Sequence, residues 1–345
     1  RLFDVADEIN LDLVQALWTS RNKIASRLRL DRISTKSITF KNPPVLVELG
    51  NHDLEINGKT YFTEVKARIF DIGVISLILR IEFEEDVTEA EYLDMAIASE
   101  NMPEDKIREY LDSVLETIEQ ACTRKRVSDF EEDFVVYYFK DEMPKWDIVP
   151  LLLKDKTPVS EQTRCSTLAN CFSYSDDITY LAWDSALVYD KTGSLDVPDL
   201  LEFANAQFLE LRYYDNALAD AIDRSYDELE EANVANKANR VEAYRRIRSR
   251  LMEIMADISN IMGNINNALQ VTEDIFYARI YTRYLELLKA TVWKDNIDYK
   301  LNTIQRTYTL MNEEVESYRL ERMSMTSAII LAGILLVSIV GLFLK

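Results

Sequence analysis

Apolar positions along this chain follow two different rhythms. Tyr61, Thr63, Val65, Ala67 and Ile69 alternate with Glu64, Lys66 and Arg68, the period-two pattern of a half-buried strand. After Asp71-Ile72-Gly73 the alternation resumes at Ile75, Leu77, Leu79, Ile81 and Phe83, so the two runs read as a hairpin. Thr88 and Glu91 form a capping box ahead of a helix. A second helix follows Pro103, with Ile107, Leu111, Val114, Ile118 and Cys122 on one face. Residues 134–139 (FVVYYF) read as a buried strand, and 178–189 (ITYLAWDSALVY) as one or two more.

The second rhythm is helical. All seven prolines lie between Pro43 and Pro198, and beyond Asp199 glycine occurs only at Gly263, Gly333 and Gly341. Proline breaks helices and glycine weakens them, so the chain after Gly193 reads as almost wholly helical. Asp196 is the expected cap of the first helix, with Pro198 in its opening turn. Its stripe, Leu201, Ala204, Phe208, Leu211, Leu218, Ile222 and Leu229, is interrupted by Asp215 and Ser225. The second stripe is Tyr244, Ile247, Leu251, Ile254, Ile258, Ile261, Ile265 and Ala268, and the third is Ile297, Leu301, Ile304, Tyr308, Met311, Val315 and Tyr318. Spacings of three and four are those of a coiled-coil seam. The turns 234–239 and 270–274 are short enough to fold the helices back on one another, which favours an intramolecular bundle over oligomerisation through the stalk helices.

From Met325 through Leu344 the sequence carries no charge before Lys345. A run of about 20 apolar residues matches a bilayer core, and the expectation is a C-terminal membrane anchor continuous with the third helix. Ala328, Ala332, Gly333 and Gly341 are its small positions, without strict GxxxG spacing. Arg319 and Arg322 precede the run. The charge rule therefore orients the preceding part toward the cytoplasm or matrix. The expected location is a single-pass protein of an inner membrane, bacterial or mitochondrial.

Charge sharpens the division. The net charge is −20, with 23 basic against 37 acidic residues in 1–195 and 17 against 23 in 196–345. An acidic first half argues against non-specific nucleic-acid binding there. Three cysteines, Cys122, Cys165 and Cys171, make no CxxC pair and read as reduced. The lone His52, in the turn-like stretch Gly50-Asn51-His52-Asp53, excludes sites that need two histidines. There is no GxGxxG, Walker A, GxSxG or HExxH motif. Acidic runs at 82–86 and 131–133 could supply a carboxylate-bound metal, yet their spacing selects no pair. The reading is therefore non-enzymatic, without cofactor or metal.

The most distinctive charged feature is basic: Lys237, Arg240, Arg245, Arg246, Arg248 and Arg250 share fourteen residues with one acid, Glu242. Arginine grips phosphate or carboxylate bidentately. These residues either form a solvated face paired to Asp227, Glu228, Glu230 and Glu231, or contact protein, RNA or lipid headgroups.

Short matches run the length of the chain. Leu2-Phe3-Asp4-Val5-Ala6-Asp7-Glu8-Ile9, Phe70-Asp71-Ile72-Gly73-Val74, and Trp183-Asp184-Ser185-Ala186-Leu187-Val188-Tyr189-Asp190 resemble segments of the "required for meiotic nuclear division" family, built on domain of unknown function 155. Lys300-Leu301, Thr303, Tyr308 and Arg319 resemble its helix before the anchor. The resemblance implies an α+β unit, a helical hairpin and one C-terminal membrane helix. It also implies no catalytic residues, and its mitochondrial members look like inner-membrane proteins that support organellar translation. The expected architecture is an α+β head over 1–193, a three-helix antiparallel stalk over 194–322, and a transmembrane anchor over 323–345. The expected function is a membrane-anchored scaffold or tether presenting the acidic head to a protein or ribonucleoprotein partner. The alternative is a relative of CorA-type magnesium channels, which requires a second membrane helix and a Gly-Met-Asn loop.

Overall fold

The computed structural model describes residues 1–20, 25–27, 42–83, 87–234, 237–268 and 275–343, with the side chains of 233, 237–238, 257, 259–268 and 337–343 outside that description. In chain order its elements begin β1 (Leu2–Asp4), β2 (Glu8–Ile9), α1 (Leu11–Ser20), β3 (Ala25–Arg27), β4 (Val45–Ile56), β5 (Lys59–Ile69), β6 (Val74–Ile81), α2 (Glu89–Ala98) and α3 (Glu104–Ile118). They continue β7 (Cys122–Thr123), β8 (Glu131–Glu132), β9 (Val135–Phe139), α4 (Ile148–Leu153), α5 (Glu161–Leu168), β10 (Cys171–Phe172), β11 (Asp177–Leu181) and β12 (Ser185–Asp190). Four helices follow: α6 (Asp196–Val234), α7 (Lys237–Ala268), α8 (Ile275–Leu287) and α9 (Ala290–Phe343).

Six strands form an antiparallel sheet in the order β3-β4-β5-β6-β1-β8. The expected hairpin is β5–β6, paired from Thr63↔Ile81 to Ile69↔Ile75. Its turn needs Gly73: φ is 98° there, and a Cβ would sit 1.9 Å from the Ala6 carbonyl oxygen. A second hairpin, β4–β5, turns at Asn57-Gly58 with φ of 49° and 77°, the pair that suits a two-residue turn between twisted strands. His52 thus lies in β4, not in a turn; the register shifts between Glu48 and Gly50, and the strand continues. The Thr88–Glu91 capping box forms as expected.

One face of this sheet packs Val45, Val47, Val65, Ala67, Ile69 and Leu77 against α1 and α3, through Val14, Trp18, Ile107, Leu111, Val114 and Ile118. Burying such side chains contributes roughly 1.5–3 kcal/mol each. The smaller sheet, β10-β11-β12-β9, is antiparallel except for the parallel β9–β12 pair. Alternation along β9 splits its residues. Val136 and Tyr138 join a second core with Phe70, Val74, Leu181, Ala186 and Val188. Val135, Tyr137 and Phe139 join a third beneath α4 and Tyr92. The second core is completed from outside the strands, by Leu200, Leu201, Phe203, Ala204, Phe208 and Leu209 of α6 and by Phe276, Ile280, Tyr281 and Tyr284 of α8.

The chain divides into two compact units. The first comprises Arg1–Tyr213 and Gly263–Lys294, and the second Tyr214–Met262 and Asp295–Lys345. Within the second, Leu218, Tyr244, Ile247, Leu251, Ile258, Ile297, Ile304, Met311 and Val315 are buried. Ile261, Ile265 and Ala268 lie outside the described side chains, and the turn 270–274 outside the described residues. Two interruptions of the first stripe have partners. Ser225 is buried with its hydroxyl donating to the Ala221 carbonyl, and Asp215 accepts from the Lys300 ammonium at 2.7 Å. The helical region also has a break that proline and glycine do not mark. Lys289 takes φ of 53° and separates α8 from α9, so four helices stand among the described residues where three were expected.

The transmembrane anchor expected over 323–345 is corrected. Among the described residues no helix is long and apolar enough to cross a membrane. The single-pass inner-membrane location, cytoplasmic or mitochondrial, and membrane partnership through this helix are corrected with it.

Candidate functional site

Buried charge concentrates where α6 meets the large sheet. Arg126 donates through Nη2 to Asp4 Oδ1 at 2.9 Å and through Nε to Asp4 Oδ2 at 3.3 Å, while its Nη1 pairs with Asp7. Its guanidinium also lies 3.9 Å from the centre of the Tyr213 ring, a cation–π contact. Arg124 reaches Asp7 at 3.3 Å. Glu210, fully buried on α6, faces Asp4 and Arg126, and neither of its oxygens has a hydrogen-bond partner among the described residues. Burial pushes its carboxyl well above the usual range, with Asp4 adding to the shift and Arg126 opposing it.

A second cluster lies nearer the start of α6. Arg68 of β5 pairs with Asp199 at 2.8 Å and with Glu202. Burial pushes Asp199 up to about 6 against the pull of Arg68, and Glu202 adds to the rise. Arg212 pairs with Glu132 of β8. On its other side α6 meets three tyrosines of α8: Tyr277 donates to Asp196 Oδ2 at 3.0 Å, Tyr281 to Gln207 Oε1, and Tyr284 to Asn205 Oδ1 at 3.0 Å. The expected capping carboxylate of Asp196 thus serves Tyr277, and Ser194 Oγ accepts the Asp196 N–H at 3.2 Å. These groups hold the fold together. Among the described residues no three His, Cys, Asp or Glu side chains are placed to hold a metal ion.

The outward chemistry is on α3. Its buried face is Ile107, Tyr110, Leu111, Val114, Leu115 and Ile118. Opposite run Asp105, Glu109, Asp112 and Glu116, all exposed. With Arg108 and Ser113 they line a shallow depression. Lys106 pairs with Glu109 at 2.7 Å, and Arg108 approaches Glu104 at 4.0 Å. This acidic stripe was missed in the sequence although the signal is there: it is the complement, at spacings of four, three and four, of the apolar stripe.

The basic residues of α7 separate by role. Arg248 donates to Asn312 Oδ1 at 2.7 Å, and Arg250 pairs with Glu228 at 2.5 Å. Arg245 reaches Glu242 at 3.6 Å, Arg246 is exposed and Arg240 half-buried. The Lys237 side chain lies outside the described residues. In α9, Lys300 holds Asp215, the Thr303 hydroxyl donates to the Tyr299 carbonyl at 3.0 Å, Tyr308 is half-buried and Arg319 approaches Glu316 at 4.0 Å. Met325, Ala328 and Ala332 are exposed, and among the described residues nothing lies within 4 Å of a Cβ built on Gly333. The Gly341 side-chain position and Leu344 lie outside the described residues. Cys122, Cys165 and Cys171 are free thiols.

A family model described as the N-terminal domain of uncharacterized protein MJ0711 matches residues 1–196. The uncharacterized protein MJ0711 of Methanocaldococcus jannaschii is 24% identical over 199 residues, which cover 55% of this chain and 60% of that protein. The matched part therefore spans less than two thirds of that relative's length. No solved structure matches. These comparisons carry no link to the "required for meiotic nuclear division" family.

Proposed function

The chain belongs to the family of the MJ0711 N-terminal domain, which its residues 1–196 match, and from that premise we propose that it is a non-catalytic scaffold. Its first unit offers an acidic surface to a basic protein or ribonucleoprotein partner, with α3 as the docking face. The exposed arginines of α7 give the second unit a separate contact for carboxylate or phosphate groups.

The acidic stripe of α3 carries this reading. Asp105, Glu109, Asp112 and Glu116 make three like-charge neighbour pairs along one helix face, and each opposes the helix by ~0.2–0.5 kcal/mol. Lys106 and Arg108 offset part of that cost. A surface shaped for solubility alone intersperses both signs. Stacking one sign on a single face favours a partner of the other.

Fluorescence anisotropy of a labelled oligolysine peptide against the full chain tests the reading. Neutralising the stripe as Asp105→Asn, Glu109→Gln, Asp112→Asn and Glu116→Gln weakens binding by about tenfold or more, the equivalent of ~1.4 kcal/mol. A control with the same charge change, at the exposed Asp141, Glu142, Glu161 and Asp176, changes it far less. Equal losses in the two variants would reduce the effect to net charge and remove the docking face.

A further inference from the structure

The start of α6 is buried nearly all round, and its polar residues are inside rather than at the surface. Asn205, Gln207 and Glu210 are buried between residues 200 and 214. The acids among them outnumber the cations they meet. Asp4, Asp7, Asp199, Glu202 and Glu210 face the buried Arg68 guanidinium and the half-buried Arg126 guanidinium, with Arg124 reaching Asp7 from the surface. Arg126 points Nε and Nη2 at Asp4 and Nη1 at Asp7, and no hydrogen bond among the described residues reaches Glu210. Arg68 gives one nitrogen to each of Asp199 and Glu202, and Glu202 Oε1 is left without a partner among the described residues.

We infer that residues 196–213 of α6 form a proton-dependent latch on the large sheet of the first unit, closed while a proton is retained between Asp199 and Glu210 and loosened when it is lost to solvent.

The geometry requires this because a buried carboxylate without a donor or counter-charge is costly, and it avoids the cost by staying protonated. The surroundings of Glu210 are Asp4 on β1, Arg126 with its bound Asp7, and Tyr213 one turn on. Among the described residues Arg126 is the cation that acts on Glu210. Around Asp199 and Glu202 stand Arg68 on β5, Asp196, and the amino group of Arg1 facing Glu202. On the α8 side Tyr277, Tyr281 and Tyr284 donate to Asp196, Gln207 and Asn205 rather than to Asp199 or Glu210. Arg212 is held by Glu132 of β8. The raised carboxyls of Asp199 and Glu210 agree with this arrangement. When α6 lifts, the acids reach water and ionise at ordinary values, so raising the pH favours the lifted state.

Amide hydrogen exchange on the full chain reads this directly, with rates corrected for the chemical pH dependence. α3, in the same unit, serves as the reference. The latch predicts that amides of 200–213 exchange through an opening of their own, at least about tenfold less protected than those of α3. It predicts that their protection drops by about tenfold or more between about pH 5.5 and about pH 8.5, since one pKa unit is a factor of ten in the equilibrium. In Asp199→Asn/Glu210→Gln that pH dependence disappears. Protection of 200–213 that is flat with pH in the native chain overturns the inference. So does protection equal to that of α3 at both pH values, which would mean that α6 opens only on global unfolding. Both readings need only the native chain, so they decide the matter even if the double variant does not fold.

Discussion

The hydroxyl of Tyr284 donates to Oδ1 of Asn205 at 3.0 Å, joining two fully buried residues 79 positions apart. Asn205 also donates from Nδ2 to the Leu201 carbonyl at 2.9 Å, so its amide is fixed and its oxygen points at α8. Tyr284→Phe leaves that oxygen buried and unpaired, and the expected destabilisation is about 1–3 kcal/mol. Asn205→Leu combined with Tyr284→Phe recovers part of it, since an apolar pair leaves nothing unsatisfied. Urea unfolding of the native chain and the two variants checks the order.

Asp199 gives stability a pH dependence of definite sign. Its folded-state carboxyl is raised to about 6 by burial, so the folded state holds a proton that the unfolded chain has released. The contribution is complete below the ordinary value of about 3.8 and is lost as pH rises through about 6. It amounts to ~3 kcal/mol. Urea midpoints measured across that window fall with rising pH in the native chain. Asp199→Asn, which keeps an acceptor for Arg68, flattens the curve.

Stability and partner binding move in opposite directions on α3. Asp112 sits between Glu109 and Glu116 at spacings of three and four. Asp112→Lys converts two like-charge contacts into attractive ones. The expected gain in stability is about 0.5–1 kcal/mol, while affinity for a basic peptide declines. A thermal melt and an anisotropy titration on the same variant check both signs.

What could be read from the sequence follows from how local each determinant is. The β5–β6 hairpin, the Thr88–Glu91 box and the apolar face of α3 depend on near neighbours. Each appears where the pattern put it, except that α3 ends at Ile118 and Cys122 falls in β7. Asn57-Gly58 is equally local, and its turn places His52 inside β4. Lys289 bends the chain without a glycine or proline to announce it. Glu210, Asn205 and Gln207 stayed hidden because an apolar stripe assigns polar residues to the outside, while α6 is buried on several sides. The groups that face these residues, Asp4 of β1 and Tyr281 and Tyr284 of α8, lie far away in sequence. The family match ends at residue 196, although the second core takes α6 and α8 to complete.

Carboxyl footprinting of the full chain, with and without a saturating oligolysine peptide, tests the scaffold reading most directly. The account predicts that Asp105, Glu109, Asp112 and Glu116 lose labelling several-fold on binding, while the equally exposed Asp141, Glu142, Glu161 and Asp176 keep theirs. Bound peptide with α3 labelled as in the free chain, or protection spread evenly over both sets, would contradict it.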